Sequence, residues 1–580
     1  MNKSDSIKKL AIVGGGPRGL STLEAVLEKL SNKKDVKPIE IILFESQEHP
    51  GAGRVYNLKQ PDSNWLNVSE RALKLEGRNE IEFEGVQFPS FPSFQEWIGY
   101  DEDTGSSSAP DNYPLRSILG KYLNERYRSL ASLLKSKGLL YVVQAEVLKV
   151  DWEDSVFKIQ VDSGKIYTSN ELILTIGHQP TKLSKQLFDW KGFSDDHSLV
   201  SLFTNAYPVS DFLNFEQLNS NSIVGLRGFG LAMIDVMRAL TIGQDGEFKI
   251  LDPTTLQMIY VKSGKEPKKI VPFSLDGLPL APKPLNRQID ELFYPTEEEL
   301  LTFECNVKTV AEQGNASSMQ FVLNAIAPVI CRVYRELGSK AYTMALDDER
   351  IIDASIAWLK DADFAHYLIV PVVNTAQKTM KMFVNMATGK ESISLDYCIG
   401  QVWGHCEPSL YKAVSFANLN DTIIAEIISL DERLKRYSYG PPVKSLQQML
   451  ALIDANIITL DYIKNPKIET TREGWKLSSD GHSITANIMI NSVLDPARLL
   501  EMNSPIVKHL LHESLVEPVH SDLGIKTGKN AIVKVSGEGT MIPLAAMGRL
   551  SKGTIVGVDA VMECFGDRAA LWAEGFVERL

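Results

Sequence analysis

Residues 10–21 read LAIVGGGPRGLS, and this stretch decides the fold. The apolar run at residues 10–13 is typical of a buried parallel strand. It leads directly into Gly14-x-Gly16-x-x-Gly19, after which apolar residues recur at helical spacing. A strand, a glycine turn and a helix in this order predict a dinucleotide-binding unit. Gly14 permits the tight turn, Gly16 lets the backbone approach a pyrophosphate, and Gly19 lets the helix pack closely on the strand.

An acidic residue follows where such a unit needs one. A second predicted strand, residues 39–44, ends at Glu45. A carboxylate there accepts hydrogen bonds from a ribose hydroxyl. It comes later than the usual ~20 residues after the glycines, and the polar connection at residues 31–37 explains the excess. The alternative, a glycine-rich turn in some other α/β protein, is disfavoured because strand, helix and acid are all present.

Composition limits the function classes. The chain has 580 residues, which corresponds to roughly three or four domain-sized units. Its net charge of −12 argues against a nucleic-acid surface. No apolar run approaches the length of a membrane span, and the polar first ten residues predict no secretion signal. None of the five cysteines forms C-x-x-C. We therefore expect a cytoplasmic protein with reduced thiols, no metal site and no membrane or nucleic-acid partner.

The next segment predicts the rest of a first nucleotide-binding half. Gly51 and Gly53 follow the acid and indicate a close backbone approach to a large ligand, although a surface loop fits equally well. Residues 139–150 and 157–161 are strand-like, and a buried strand then ends at Gly177-His178. His178 either hydrogen-bonds a cofactor, moves a proton or simply occupies a turn at the end of a strand.

The opening pattern then returns. Residues 222–227 predict a strand, and Gly228-x-Gly230-Leu231 opens a second helix, with Met233 at the place of the third glycine. We predict that its second strand, near residues 258–261, ends in the lysine-rich run 262–269, which contains Ser263 and Lys265. A cationic strand end suits the 2′-phosphate of NADP, whereas a solvated lysine run is the competing interpretation.

The remaining patterns predict the domain organisation. Residues 286–387 are mainly helical, residues 474–491 repeat the hairpin pattern of 157–177, and a strand near 541–548 is followed by a long helix at 558–580. We expect an α/β protein with two Rossmann-like dinucleotide-binding domains and an inserted, mainly helical module. The first domain takes residues 1–205 and 501–580, the second takes 206–285 and 396–500, and the helical insert takes 286–395.

The whole set of motifs resembles flavoproteins with two dinucleotide domains. It is most similar to the large FAD/NAD(P)-binding proteins related to flavin-dependent N-hydroxylating monooxygenases. The resemblance is carried by GGGPRG (14–19), PGAGRVY (50–56), LNV (66–68), GHQP (177–180), GLAMID (230–235), SGKEP (263–267), YGPP (439–442) and GRLSKGT (548–554). These motifs span nearly the whole chain apart from the helical insert.

The resemblance implies FAD on the first fingerprint and NADPH on the second. Together with the motifs it assigns FAD to Gly14, Gly16, Pro17, Arg18, Gly19, Glu45, Gly51, Gly53, Arg54, Asn67, Val68, Gly177 and His178. It implies that the segment containing Gly548, Gly553 and Thr554 lies over the flavin. NADPH is assigned to Gly228, Gly230, Leu231, Ser263 and Lys265.

The implied function is a single-component FAD-dependent, NADPH-consuming monooxygenase that oxygenates the amino nitrogen of a small amino acid or amine in a biosynthetic pathway. Some members of the resembled family convert aspartate to nitrosuccinate. The expected partners are a small-molecule substrate and O₂. A homo-oligomer is possible, and the sequence does not decide the oligomeric state. Arg116 and Arg287 are candidates to bind substrate carboxylates. No side chain is singled out as catalytic, because the flavin carries the chemistry.

Other classes remain open at the level of sequence. Another NADPH-dependent flavoprotein shares these folds, whether an oxidase, a reductase or a Baeyer–Villiger-type oxygenase. A non-catalytic flavin-binding protein keeps the first glycine motif and needs no NADP site. A disulfide reductase is disfavoured because no cysteine pair lies near either glycine motif.

Overall fold

The computed structural model describes residues 7–33, 38–101, 106–343, 346–536 and 541–580. The predicted connection at 31–37 thus lies partly outside the described residues. The strands are β1 (Lys8–Val13), β2 (Ile39–Phe44), β3 (Ile81–Phe83), β4 (Val86–Phe88), β5 (Leu140–Val143), β6 (Val147–Glu153), β7 (Val156–Val161), β8 (Ile166–Ser169), β9 (Glu171–Leu174), β10 (Ser201–Phe203), β11 (Ile223–Arg227), β12 (Glu247–Asp252), β13 (Gln257–Val261), β14 (Lys269–Phe273), β15 (Lys467–Thr471), β16 (Gly474–Ser479), β17 (His482–Ala486), β18 (Ile488–Asn491) and β19 (Leu544–Ala546).

Helices alternate with strands in the first half and dominate the centre of the chain. They are α1 (Pro17–Ser31), α2 (Phe94–Ile98), α3 (Arg116–Ser136), α4 (Lys185–Asp195), α5 (Ser210–Leu213), α6 (Leu231–Ala239), α7 (Arg287–Asp290), α8 (Glu297–Gln313), α9 (Gln320–Glu336), α10 (Asp348–Lys360), α11 (Ala376–Ala387), α12 (Leu395–Val414), α13 (Asp421–Ser438), α14 (Val443–Asp454), α15 (Pro505–His512) and α16 (Arg568–Glu578). In the part of the chain described here, no helix is both long and apolar enough to cross a bilayer.

The first sheet is parallel throughout, with strand order β19-β9-β1-β2-β5. Its centre is β1, where Leu10, Ala11 and Ile12 are completely buried. A near-continuous apolar strand of this kind is typical of a parallel sheet covered on both faces. The C-terminal strand β19 pairs with β9, which confirms that the end of the chain returns to the first glycine unit.

The second sheet is also parallel, with order β10-β18-β11-β14. The prediction that residues 258–261 form its second strand is wrong. That segment belongs to β13, which pairs antiparallel with β12 in a separate hairpin, while β14 lies beside β11. The burial patterns explain the difference, because β13 alternates between exposed and buried residues whereas β14 is buried along most of its length.

The two parallel sheets share a second feature. The antiparallel strands β6, β7 and β8 precede β9, and the antiparallel strands β15, β16 and β17 precede β18. This confirms the predicted likeness between residues 157–177 and 474–491. The α/β architecture with two Rossmann-like sheets therefore contains the same strand pattern twice.

The central helices extend further than the predicted insert of 286–395. Helices α7 to α14 follow one another from Arg287–Asp290 to Val443–Asp454 before β15 begins. They share one hydrophobic core with α6 of the second sheet, since Val236, Ile330 and Trp403 belong to the same buried cluster. The strand β10 also lies within the predicted first domain, 1–205, yet pairs with β18 of the second sheet.

Candidate dinucleotide crevices and active site

The first crevice opens at the carboxyl ends of β1, β2 and β9. A cavity of about 310 Å³ lies there. Its lining includes nine of the predicted FAD residues, namely Gly14, Gly16, Pro17, Arg18, Glu45, Gly53, Arg54, Gly177 and His178. The fold thus brings together residues that are far apart in sequence. Such a crevice at the carboxyl edge of a parallel sheet is the usual place for a dinucleotide.

The glycine turn has the close contacts that its sequence predicts. Gly14 has a φ of 102°, and a Cβ there would lie 2.6 Å from the Thr175 carbonyl oxygen. A Cβ on Gly19 would lie 2.2 Å from the carbonyl oxygen of Gly14. The Thr175 hydroxyl donates to that same carbonyl at 2.6 Å. No larger side chain fits at either glycine, so β1 and α1 pack at the distance the motif requires.

The start of α1 fits a pyrophosphate. Its N-cap is Gly16, no side chain caps it, and its first turn carries no acid. The first N–H groups of the helix therefore face the cavity with the positive end of the helix dipole. Gly53 closes the opposite side, since a Cβ there would lie 3.2 Å from the Cα of Gly16. A side chain at Gly16 or Gly53 would occupy this cradle, so the residues present fit the phosphates of FAD.

Glu45 is held in place for a ribose. Its Oε2 accepts a hydrogen bond from the Gly15 N–H at 2.7 Å, and its Oε1 accepts one from the Gln47 N–H at 2.7 Å. Burial raises the pKa of Glu45, and these backbone N–H groups act in the opposite direction. Each carboxylate oxygen retains a further lone pair for a ribose hydroxyl. The geometry suits the role that the sequence predicts.

His178 faces the same cavity at the end of β9. Burial, together with the nearby Arg549, lowers the pKa of His178 to about 4. The imidazole is therefore neutral at physiological pH and has one donor and one acceptor nitrogen. The structure thus disfavours a role for His178 as a charged acid and leaves hydrogen bonding as its contribution.

Four predicted FAD residues lie outside this lining, namely Gly19, whose contact with Gly14 is given above, and Gly51, Asn67 and Val68. Gly51 has a φ of 91°, and a Cβ there would lie 2.4 Å from the Leu123 carbonyl oxygen, so Gly51 seats its loop on α3. Asn67 donates from Nδ2 to the carbonyl oxygen of Tyr439 at 3.4 Å. Val68 packs against the core of the first sheet. These residues position neighbouring segments instead of lining the cavity.

The second crevice opens at the carboxyl ends of β11, β14 and β18. Its cavity measures about 1080 Å³, and Gly228, Gly230 and Leu231 line it as predicted. Gly228 has a φ of 120°, and a Cβ there would lie 2.7 Å from the Ser492 hydroxyl. Helix α6 begins after Gly230 with no capping side chain. The start of α6 therefore offers the same free N–H groups as the start of α1.

Ser263 and Lys265 do not belong to this crevice. Because β14 begins at Lys269 and runs parallel to β11, the run 262–268 lies at the amino edge of the sheet, opposite Gly230. Lys265 is exposed and pairs with Asp245 at 2.5 Å, while the Ser263 hydroxyl donates to the Gln244 carbonyl at 2.6 Å. The prediction that Ser263 and Lys265 contact NADP is therefore wrong for this crevice.

The carboxyl end of β14 carries a different cation. Asp276 follows this strand and forms an ion pair with Arg436 from α13, and both residues line the second cavity. Arg436 therefore occupies the position that sequence reasoning gave to the lysine run. The sequence pattern missed it because Arg436 is separated from Asp276 by 160 residues.

The two crevices meet at an ionic cluster. Arg549 and Asp559 line both cavities. Arg549 Nη1 lies 2.6 Å from Asp559 Oδ1, while Lys435 Nζ and Lys552 Nζ lie 2.6 and 3.0 Å from Asp559 Oδ2. One carboxylate thus holds three cations at the junction of the two cavities.

The junction carries an excess of positive charge. Burial opposes ionisation of Asp559, but Lys552, Lys435 and Arg549 hold its pKa well below the usual range. Glu432 also bridges Lys552 and Lys435, and its pKa is lowered by them against the effect of burial. A third carboxylate, Asp431, lies 3.8 Å from Lys435 Nζ, and burial raises its pKa. Three cations therefore face two firmly ionised carboxylates and one whose ionisation is disfavoured. Negative charge that develops at this junction is stabilised.

The C-terminal segment closes the first crevice differently from the prediction. Residues 558–580 do not form one helix, because α16 begins only at Arg568. The part before α16, which contains a short 3-10 helix at Met562–Phe565, supplies the cavity wall through Val558, Asp559, Ala560, Val561 and Cys564. Sequence reasoning missed these residues because their spacing also fits a helix.

In the GRLSKGT segment (548–554), Arg549 lines both cavities. The three residues of this segment that are predicted to lie over the flavin, Gly548, Gly553 and Thr554, contact other parts of the protein instead. A Cβ on Gly548 would lie 2.6 Å from the Arg18 Nε, and one on Gly553 would lie 2.8 Å from the Leu523 side chain. The Thr554 hydroxyl accepts a hydrogen bond from the Thr527 N–H at 3.1 Å. The segment thus lies beside the first crevice, and Arg549 is its residue that lines both cavities.

The two arginines predicted to bind substrate are already engaged. Arg116 is buried, and its Nη2 lies 2.6 Å from Asp235 Oδ2 while its Nε donates to the Trp65 carbonyl. Arg287 lies on the surface and pairs with Glu291 at 2.7 Å. Neither lines the cavities described above. Both arginines form ion pairs within the protein. The prediction that they bind substrate carboxylates is therefore not supported by their positions.

The comparison with protein families agrees with the first crevice. Residues 11–179 match the family described as FAD-NAD(P)-binding. The matched segment runs from β1 through the glycine turn, Glu45 and β9 to the turn that contains His178. The N-terminal third of the chain thus has the sequence character of a flavoprotein that binds FAD and NAD(P).

Distant relatives match over most of the chain. Nitrosuccinic acid synthase of Aspergillus oryzae is 25% identical, covering 90% of this chain and 83% of that protein. A nitrosuccinate-forming L-aspartate N-monooxygenase of Streptomyces davaonensis is 22% identical, covering 87% of this chain and 84% of that protein. The homology is distant, and it covers most of the chain.

Solved structures show a weaker likeness. Cyclohexanone monooxygenase with bound cyclohexanone is 10% identical, with a TM-score of 0.44, covering 99% of this chain and 87% of that chain. The OTEMO complex with FAD and NADP is 10% identical, with a TM-score of 0.40 and coverage of 98% and 83%. The assignment of two parallel sheets rests on the strand pairing described above.

Proposed function

We propose that this FAD–NAD(P)-binding flavoprotein is a single-component, NADPH-consuming monooxygenase that oxygenates the amino nitrogen of a small amino acid or amine. Its partners are then a small-molecule substrate and O₂, and its place is in a biosynthetic pathway. The observation that carries the proposal is the junction of the two crevices, where Arg549 and Asp559 line both cavities. A nicotinamide in one crevice and a flavin in the other would meet there.

The distant relatives are the reason for proposing that a nitrogen atom of the substrate is oxygenated. The named activities of the relatives in Aspergillus oryzae and Streptomyces davaonensis are nitrosuccinate synthesis and aspartate N-oxygenation. Because those matches cover 90% and 87% of this chain, we take L-aspartate as the first substrate to test. Small amines without carboxylates serve as comparison substrates.

FAD, when bound, supplies electron transfer from NADPH and the activation of O₂. The residues of the chain bind and orient. The start of α1 and Gly53 would hold the phosphates of FAD, and Glu45 would hold a ribose. At the junction, Arg549, Lys552 and Lys435 disfavour a positively charged amine. Their charge favours the neutral, nucleophilic form of the substrate nitrogen.

The test is a coupling measurement with the purified, FAD-loaded enzyme. NADPH consumption in air is followed with L-aspartate, with a small amine and with no substrate, and H₂O₂ is measured in parallel. The proposal predicts substrate-dependent NADPH consumption without a matching release of H₂O₂. An oxidase would release one H₂O₂ per NADPH with or without substrate, and that outcome contradicts the proposal.

A further inference from the structure

A third cavity lies on the far side of Arg18 from the first crevice. It measures about 570 Å³ and separates helices α8 and α12 from the C-terminal segment. Arg18 and Val558 line both this cavity and the first one, so the two share a wall. None of the functional residues discussed above requires this space. Its lining includes Arg18, Phe416, Lys529, Arg568 and Leu571.

Arg568 is the unusual residue in this cavity. Its Nη1 donates to the Ser551 hydroxyl at 2.9 Å, and its Nη2 donates to the Thr527 hydroxyl at 2.8 Å. Its Nε is buried and has no hydrogen-bond partner. Among the described residues no carboxylate lies within ion-pair distance of this guanidinium. Its charge is therefore buried against neutral groups alone, which is costly unless an anion is bound.

Arg18 also has no carboxylate partner among the described residues. Its guanidinium donates to the carbonyl oxygens of Glu563 and Val558, at 3.2 Å each, and to no carboxylate. Burial, together with the charge of Arg18, lowers the pKa of Arg568 to about 9. Two guanidinium groups therefore face one cavity and repel each other across it. An anion between them would relieve the repulsion by accepting hydrogen bonds from the guanidinium groups.

The surrounding groups indicate which anion fits. Helix α16 begins at Arg568, so the positive end of its dipole also faces the cavity. The aromatic ring of Phe416 lies 5.4 Å from the Arg568 guanidinium carbon and covers one of its faces. Three carboxylates and three lysines also line the cavity, so the positive charge that they leave in excess is that of Arg18 and Arg568: Glu312, Glu563, Asp567, Lys308, Lys412 and Lys529. A planar carboxylate of low charge suits the exposed edge of such a guanidinium.

We propose that this third cavity is a binding site for a small organic carboxylate, with Arg568 as the principal residue that recognises it and Arg18 as the second. The site is separate from both dinucleotide crevices. It is present whether or not the flavin transfers oxygen to nitrogen, so the inference does not depend on the proposed reaction. Because Arg18 belongs to both walls, occupation of the site fixes one side of the first crevice.

Direct binding tests this proposal. The FAD-loaded protein is titrated calorimetrically with succinate at constant ionic strength, with no NADPH present. Wild type is expected to bind succinate, and Arg568→Met is expected to weaken binding at least about tenfold, ~1.4 kcal/mol. The matched control Arg287→Met removes an exposed, ion-paired arginine and is expected to leave the succinate affinity unchanged.

A second variant keeps the test valid if Arg568→Met does not fold. Leu571 lines the cavity and its side chain is 47% exposed, so Leu571→Asp adds a carboxylate there without emptying the core. We expect this variant to fold, retain FAD and lose succinate binding. Equal succinate affinity in wild type and Leu571→Asp would overturn the proposal. Binding of inorganic phosphate with the same dependence on Arg568, and no binding of succinate, would also overturn it.

Discussion

The two glycine-turn crevices have similar backbones. They differ in the side chains that lie where the ribose of a dinucleotide would bind. In the first, Glu45 follows β2 directly and is held by the N–H groups of Gly15 and Gln47. In the second, Asp276 follows β14 and is paired with Arg436 from a distant helix. The first site is thus completed by local sequence, and the second by the central helices.

We propose that this difference gives the two crevices different ligands. A free carboxylate beside a glycine turn suits a ribose hydroxyl, whereas an arginine at the same place suits a phosphate on that ribose. Arg436 is therefore the residue we expect to distinguish NADPH from NADH. The following substitutions test one crevice at a time, in order of the size of the expected effect.

Gly16→Val tests the first crevice alone. A valine side chain at Gly16 would occupy the cradle formed with Gly53, which lies 3.6 Å from the position of a Gly16 Cβ. We expect the ratio of flavin to protein after purification to fall at least about tenfold, ~1.4 kcal/mol in FAD affinity, and in practice to approach zero. Gly192→Val, at an exposed position with open space around it, is the control. Normal flavin content in Gly16→Val would contradict the assignment of FAD to the first crevice.

Asp559→Asn tests the junction that the crevices share. Removing this charge leaves Arg549, Lys552 and Lys435 without their common partner in a buried place. We expect the free energy of unfolding to fall by about 3–5 kcal/mol in urea titrations. Glu291→Gln breaks an exposed ion pair with Arg287 and should change stability by less than about 0.5 kcal/mol. Similar losses in both variants would mean that the cluster is no stronger than a surface pair.

Arg436→Ala tests the second crevice alone. We expect the KM for NADPH to rise by the equivalent of about 1.5–3 kcal/mol, because a charge-assisted contact is lost, with little change in the KM for NADH. Steady-state reduction of an artificial electron acceptor measures both constants. Lys265→Ala is the matched control, since Lys265 lies at the opposite edge of the sheet. If Lys265→Ala raises the NADPH KM and Arg436→Ala does not, the lysine run regains the role that the sequence predicts.

His178 gives the smallest expected effect, and the effect is confined to the first crevice. The folded protein lowers the pKa of His178 from 6.5 to about 4. Between these values the unfolded chain binds a proton that the folded chain does not, so stability should fall as the pH falls from 6.5 to 4. The slope is at most about 1.4 kcal/mol per pH unit. His178→Asn should reduce this slope, whereas His512→Asn, at an exposed position, should not.

The sequence predicts the first crevice well because its parts follow one another. Glycines, helix and acid lie within residues 14–45, and only their order is needed to place them on one edge of a sheet. The return of β19 was also predictable, since a short buried strand near the C-terminus needs a sheet to join. The α/β class and the repeat of two nucleotide units follow from the same periodicities.

The second crevice was predicted only in part, because its decisive contacts are not local. A hairpin, β12 and β13, intervenes between α6 and β14, and its alternating pattern reads as the missing strand. Arg436 and Lys435 reach the crevice from α13, and no sequence spacing shows this approach. The junction at Asp559 was missed in part for the same reason, since Lys435 comes from a segment 124 residues away.

The central claim is that both crevices serve one flavin. It is tested most directly by mixing the purified, FAD-loaded protein with NADPH in the absence of oxygen and recording the flavin absorbance near 450 nm. The account predicts that the yellow colour bleaches on mixing, faster with NADPH than with NADH. Flavin that stays oxidised in the presence of saturating NADPH would contradict it.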